Sequence, residues 1–363
     1  MTHGPVAICY GTRPQVIKAS MLIEASSPHW PVLTMDTGQH YDYQLNQVFY
    51  EQLGVRPANH FLEVGSGGHA VQTAAVLTRA AAVFESARPR AVVVIGDTNS
   101  TLGCALAAVQ MRIPMVHVEA GLRAADRGMA EEINRRMVDA VAELLCAPSA
   151  TAVARLVLEH QPGTIAFTGD IAHDVLRRNL LKARTPASEG TWPLAAGTPY
   201  AIATLHRAEL TAKPEVLSAT VAALKSLPLP VVFPAHPRVR DAMAAMGLAS
   251  GGMLHVVPPL GYFEMIGAVR DASVVVTDSG GVQREAYWLG IPCVTMRKET
   301  EWTETVALGA NVLVSPERAT ADLAKVVAQR IESGATWDRT TYGTGDAAVR
   351  IVDEIKTLER RLR

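Results

Sequence analysis

The chain carries almost no net charge: 34 Lys and Arg stand against 35 Asp and Glu over 363 residues, a formal −1. That excludes a general electrostatic attraction to nucleic acid or to acidic membranes. Cysteine is scarce. The four present, Cys9, Cys104, Cys146 and Cys293, lie in apolar strand or helix contexts and form no C-x-x-C pair, so they read as buried thiols of a reducing compartment. The sequence has no basic start leading into a long apolar run and no stretch approaching a membrane span, so a cytoplasmic protein with no membrane partner is expected. It has no H-E-x-x-H, and His117-x-Glu119 has no third ligand nearby in sequence. No metal or other cofactor is therefore expected. The absence of a G-x-S-x-G elbow and of a G-x-x-x-x-G-K-[ST] loop argues against serine hydrolases and P-loop enzymes.

What is present is apolar content of 48% arranged in short runs that alternate with helical patterns, the signature of parallel α/β sheets. A chain of this length suits two domains. We expect an α/β protein of two Rossmann-like domains, residues 1–170 and 171–345, facing one another across a cleft. A last helix, about 346–363 with Ile351 and Ile355 at helical spacing, is expected to return to the first domain. Residues 182–199 lack an apolar period and read as a surface connection.

Two segments spell the same βαβ unit with different chemistry. Residues 92–119 run Val92-Val93-Val94-Ile95, then Gly96-Asp97-Thr98-Asn99-Ser100, then Pro114 to Val118 ending on Glu119. Residues 273–297 run Ser273 to Thr277, then Asp278-Ser279-Gly280-Gly281, then Pro292 to Met296 ending on Arg297. Polar residues at the carboxyl edge of buried parallel strands are where open α/β sheets bind ligands. One unit ends in acids, the other in a glycine turn and an arginine, which suggests acid/base chemistry from the first half and an anion held by the second.

Each candidate has a bland reading beside the functional one. The Ser279-Gly280-Gly281 turn presents backbone N–H groups and a helix's positive end to an anion, yet a strand-to-helix turn uses Ser and Gly for capping in any case. Arg13, at a Gly11-Thr12-Arg13-Pro14 turn with Pro14 in the first helical position, and Arg297 strengthen the anion reading, or else are solvated edge residues. Glu285 and Glu304 suit the vicinal hydroxyls of a ribose, or serve as an exposed helix face and a first-turn acid respectively. Asp97 and Glu119 end strands; Asp97 could equally cap its helix. Glu131 and Glu132 open Glu131-Glu132-Ile133-Asn134-Arg135, where acids are common for dipole reasons. His206 follows a strand and is either structural or catalytic.

Taken together these segments resemble the UDP-N-acetylglucosamine 2-epimerase family nearly end to end. The resemblance rests on Gly11-Thr12-Arg13-Pro14, Gly38-Gln39-His40, Gly96-Asp97-Thr98, His117-Val118-Glu119-Ala120-Gly121-Leu122-Arg123, Glu131-Glu132-Ile133-Asn134-Arg135, His206-Arg207-Ala208-Glu209 and Thr277-Asp278-Ser279-Gly280-Gly281-Val282-Gln283. It implies the glycosyltransferase-B type of fold, a homodimer, and a UDP-2-acetamido sugar as substrate. It also implies the reaction, interconversion of UDP-GlcNAc and UDP-ManNAc by anti elimination of UDP through 2-acetamidoglucal and re-addition. On that resemblance Asp97, Glu119 and Glu131 are the acid/base carboxylates and His206 contacts the departing phosphate. Arg13, Lys18, His236, Ser279, Gly280, Gly281, Glu285 and Arg297 fall at UDP-binding positions.

Where the family usually has Glu, Pro and Asn, this chain has Gln15, Ala130 and Leu210. Residues 38–43, 64–69 and Glu301-Trp302-Thr303-Glu304 look closer to archaeal-type enzymes and to those acting on UDP-2,3-diacetamido-glucuronic acid. Epimerisation of that sugar, a hydrolysing variant releasing ManNAc and UDP, and a glycosyltransferase are the competing readings.

Overall fold

Runs of Val, Ile and Ala bounded by Gly, Thr and Ser become parallel strands, and in several of the turns a polar residue after the strand caps the next helix. The computed structural model describes residues 4–39, 56–184, 192–207, 210 and 213–362. Of the sequence features above, His40 to Tyr43, Ala208, Glu209 and residues 185–191 of the expected connection lie outside the described residues.

The chain divides into two compact units, Met1–Val175 with Thr340–Arg363, and Leu176–Arg339. The division runs inside the helix Ile171–Asn179, so the described parts of 182–199 fall within the second unit rather than between the two. In the first unit β1 (Val6–Tyr10), β2 (Val32–Asp36), β3 (His60–Phe61), β4 (Ala91–Ile95), β5 (Met115–Val118), β6 (Leu144–Ala147) and β7 (Thr164–Phe167) form a sheet of order β3-β2-β1-β4-β5-β6-β7. Every pairing is parallel. In the second, β8 (Ala201–Thr204), β9 (Val231–Pro234), β10 (Leu254–Val257), β11 (Val274–Thr277), β12 (Cys293–Thr295) and β13 (Asn311–Leu313) form a parallel sheet of order β10-β9-β8-β11-β12-β13. Both are Rossmann orders, and each reverses direction between its first and fourth strands. The turns that open there follow β1 and β4 in one sheet and β8 and β11 in the other.

β1 and β4 are buried along their whole length, as strands covered on both faces must be. Thr98, Ser149 and Ser279 each sit in extended geometry before a helix and accept a backbone N–H from its first turn. Pro14 takes the second helical position, not the first. The carbonyl of Thr12 already accepts from Gln15 and Val16, so the helix Arg13–Ser26 opens on Arg13.

The last helix, Ala347–Arg361, belongs to the first unit and buries Ile351, Val352, Ile355 and Leu358 among Val6, Ile8, Val93 and Val116. The N–H groups of Ala347 and Ala348 donate to the two oxygens of Asp174, at 3.0 and 2.9 Å. Burial, with Asp170 nearby, nonetheless raises the Asp174 carboxyl from 3.8 to about 6. A group whose folded-state value is raised contributes stability that is full below 3.8 and lost as pH climbs through about 6. Asp174→Asn keeps an acceptor oxygen and removes the titration. Its Tm measured from pH 4 to 7 is expected to lack the gain on acidification that the parent protein shows.

Candidate active site

In the first unit the turns after β1, β4 and β5 lie side by side. Gly96 follows β4 with φ +68°, and a Cβ there would approach Glu119 Oε2 to 3.4 Å, which measures how close the β5 carboxylate stands to the Asp97 turn. Glu119 itself holds φ +70°, a conformation unfavourable for a side chain with Cβ and one that clusters at functional sites. Its carboxylate is buried and pairs with Lys18 Nζ at 2.7 and 2.8 Å. Lys18, expected among the UDP-binding positions, thus stands against the Glu119 carboxylate. Arg13 is exposed in the first turn of the same helix, a cation at the helix's positive end.

Gln15 ties these turns together. Its carbonyl oxygen accepts the N–H of Gly11 and of Thr12, while its amide donates to the Ile95 carbonyl at 2.6 Å and to the Thr98 and Thr101 hydroxyls at 3.0 and 2.9 Å. A carboxylate in its place could not donate to Ile95. The Gln that departs from the family's usual Glu is therefore a bridge between the Arg13 and Asp97 turns.

Asp97 is one station on a closed ring of charge. Its carboxylate pairs with Arg135, and Arg135 pairs with Glu132 at 3.0 Å. Glu132 meets Arg136 at 2.6 Å, Arg136 meets Glu159 at 3.3 Å, and Arg123 joins Glu159 to Asp139. His117, fully buried, lies 2.6 Å from Asp139 and returns to the Gly96 carbonyl at 2.8 Å, one residue from the start. Despite its burial Asp139 is held below the usual carboxylate range by His117 and Arg123. His117 is thereby a brace for the β4 turn. Among the described residues no group of three or more His, Cys, Asp or Glu is placed to hold a metal.

The adjacent acids Glu131 and Glu132 part company because neighbours on a helix are about 100° apart. Glu132 is fully buried in the ring. Glu131 is exposed and borders a cavity of about 330 Å³ whose other walls include Gln39, His69, Gln72, Asn99 and Asn134. Asn134 links that wall to the acids, donating to the Asp97 carbonyl at 3.0 Å and to Asn99 at 3.1 Å. The lining is amide-rich, suited to hydroxyl and acetamido groups.

In the second unit the helix Gly280–Leu289 starts from Ser279, whose hydroxyl accepts from Val282 at 3.5 Å. The N–H groups of Gly280 and Gly281 meet no partner among the described residues. Neither residue has positive φ, and a Cβ at Gly281 would find only Ser279 Oγ at 3.7 Å, so the turn leaves open space in front of its N–H groups. Arg284, one turn on, stacks 3.9 Å over the Trp302 ring. Partly buried Glu285 has its carboxyl pushed up to about 7 by desolvation, with Arg284 opposing.

Three further candidates have local duties. Arg297, expected at a UDP-binding position, is bound by both guanidinium ends to Glu301 at 3.0 and 3.1 Å. His236 is the cap of the helix Pro237–Ala245, its Nδ1 accepting from Arg238 at 3.3 Å. Glu304 lies in the first turn of the short helix Thr303–Ala307. Near β8, His206 Nδ1 stands 3.0 Å from Asp278 Oδ1, with its side chain half exposed.

Sequence reasoning assigned no role to Gln15, Glu132, Asn134, Arg135 or Asp278. All but Gln15 lay inside motif segments, which was the signal available.

Residues 25–356 match the family described as UDP-N-acetylglucosamine 2-epimerase. A Pseudomonas aeruginosa protein named UDP-2,3-diacetamido-2,3-dideoxy-D-glucuronate 2-epimerase is 39% identical over 358 residues, covering 96% of this chain and 98% of the relative. The UDP-N-acetylglucosamine 2-epimerase of Methanocaldococcus jannaschii is 34% identical over 361 residues, covering 96% and 97%. A crystal structure of UDP-GlcNAc 2-epimerase from that organism, in complex with UDP-GlcNAc and UDP, matches with a TM-score of 0.87 at 32% identity, covering 97% of this chain and 99% of that one. The α/β fold is of the glycosyltransferase-B type that these proteins share. With sheet order, motif positions and full-length similarity in agreement, the chain belongs to the UDP-N-acetylglucosamine 2-epimerase family.

Proposed function

We propose that this chain is a non-hydrolysing 2-epimerase of a UDP-2-acetamido sugar, interconverting UDP-GlcNAc and UDP-ManNAc. The observation that carries the reading is the gathering of Asp97, Glu119 and Glu131 at one sheet edge, two held by cations and the third on a polar cavity. The C2 proton is too weakly acidic for removal to stand alone. One carboxylate takes it as the C1–O bond to UDP breaks on the opposite face, leaving 2-acetamidoglucal. A proton given to the other face of C2 while UDP re-adds completes the inversion. Each such proton transfer contributes about 10²–10⁴ in rate. Within the second unit, the N–H groups of Gly280 and Gly281 offset the charge of the departing diphosphate, and His206 meets it.

The test is proton NMR of the protein with UDP-GlcNAc in D₂O. Deuterium at C2 with an intact UDP-ManNAc signal is expected. Free ManNAc and UDP would make the enzyme hydrolysing. A second reading, the 2,3-diacetamido uronate as substrate, is favoured by the 39% identical relative of that name. Exchange on that sugar alone would select it, and exchange on neither overturns the epimerase reading.

Glu285 gives a pH prediction. Accepting two ribose hydroxyls requires the ionised carboxylate, and burial raises the carboxyl to about 7. Binding should therefore weaken as pH falls through that value. Calorimetry with UDP-GlcNAc, whose diphosphate stays ionised throughout, is expected to show roughly tenfold weaker binding at pH 6 than at pH 8. Glu285→Gln should flatten that dependence.

A further inference from the structure

We propose that Asp278 is the positioning residue of His206, fixing which ring nitrogen carries the proton and turning the other toward the departing phosphate. The inference rests on the epimerase reading for the role of His206, and its geometry stands independently. Asp278 directly follows β11 and His206 lies two residues past β8, and these strands pair in register with Thr277 opposite Thr204. The carboxylate is 1% exposed. Its Oδ2 accepts the backbone N–H of both His206 and Arg207 at 2.8 Å, which sets the path of the chain beneath the ring.

The other oxygen is the informative one. Oδ1 is buried and receives no hydrogen bond, yet His206 Nδ1 stands 3.0 Å away, off line for an N–H···O bond. A buried carboxylate oxygen left without a donor is costly, and a small rotation of the imidazole supplies one. Among the described residues none donates a hydrogen bond to it. The pairing places the proton on Nδ1 and leaves Nε2, on the open half of a side chain that is 52% exposed, as the nitrogen that meets the phosphate.

Asp278→Asn discriminates. The backbone amides of His206 and Arg207 will hold the Asn carbonyl, so its NH₂ faces Nδ1 and demands a lone pair there. His206 must then switch to the Nε2–H tautomer. Long-range ¹⁵N–¹H correlation spectra of histidine-labelled protein are expected to show Nδ1–H in the parent and Nε2–H in the variant. Turnover should fall about 10²-fold or more, as wrong-tautomer substitutions do, with KM for the UDP-sugar changed less than threefold. On a His206→Ala background the same substitution should cost nothing further.

A parent ring protonated on Nε2, or an undiminished Asp278→Asn loss in the absence of His206, overturns the proposal. If the variant does not fold, the parent spectrum alone decides. Normal turnover by His206→Ala would instead remove His206 from the reaction, while the tautomer measurement would still judge the Asp278 contact.

Discussion

Glu119→Gln is expected to lower C2 exchange by about 10²–10⁴ while the protein stays folded. The residue occupies a left-handed conformation directly after β5, close against Gly96, and its carboxylate is held by Lys18. Gln matches it in shape and still offers Lys18 a carbonyl oxygen. Losing a partner from a fully buried pair costs about 3–5 kcal/mol; here Lys18 retains 12% side-chain exposure, so the cost is smaller. A Tm lower by a few degrees is expected. Pairing the change with Lys18→Met removes both charges and should recover that Tm without any activity. An active Glu119→Gln enzyme would take Glu119 out of the chemistry.

Glu132→Ala is expected to have the largest effect on stability. Glu132 is fully buried, and both its oxygens are occupied: by Arg136, by Arg135, and by the N–H of Ala124 at 2.8 Å. Its removal leaves a buried N–H unpaired, and Arg135 keeps Asp97 as its one remaining carboxylate contact in the ring. About 3–5 kcal/mol is lost when one partner leaves such a buried pair. For a unit of this size that is on the order of 10 °C in Tm. Activity should fall as well, since Arg135 then pulls on Asp97 without its counterweight. Glu131→Ala, one position away and exposed, should leave Tm nearly unchanged while abolishing turnover. Calorimetric scans and turnover assays of the two variants side by side check both halves of the statement.

That contrast shows what the sequence reveals and what it hides. The βαβ repeats were legible because apolar runs, a polar turn and a proline before the next strand are local signals. The carboxylates at strand ends were legible because position at a parallel strand's edge is itself informative. The supports were not. Glu131 and Glu132 read as one pair of first-turn acids, and only the helix's rotation separates a cavity wall from a buried ion pair. Lys18 and Glu119 lie 101 residues apart, and Gln15 reaches Ile95 across 80. No pattern within one segment announces such partners. Arg297 is a further case: its pairing with Glu301, four residues on, is not announced by its place at the strand's edge.

The first unit is made of residues from both ends of the chain, and this orders its biosynthesis. A ribosome finishes Met1–Val175 and then all of Leu176–Arg339 before it reaches the helix Ala347–Arg361. At about 5–20 residues per second, the intervening stretch takes on the order of 10–30 s. Throughout that interval Val6, Ile8, Val93 and Val116 lack the helix that covers them in the finished protein. The second unit, contiguous in sequence, can close as soon as it emerges. The N-terminal segment of the first unit is thus made before the second unit and completed after it.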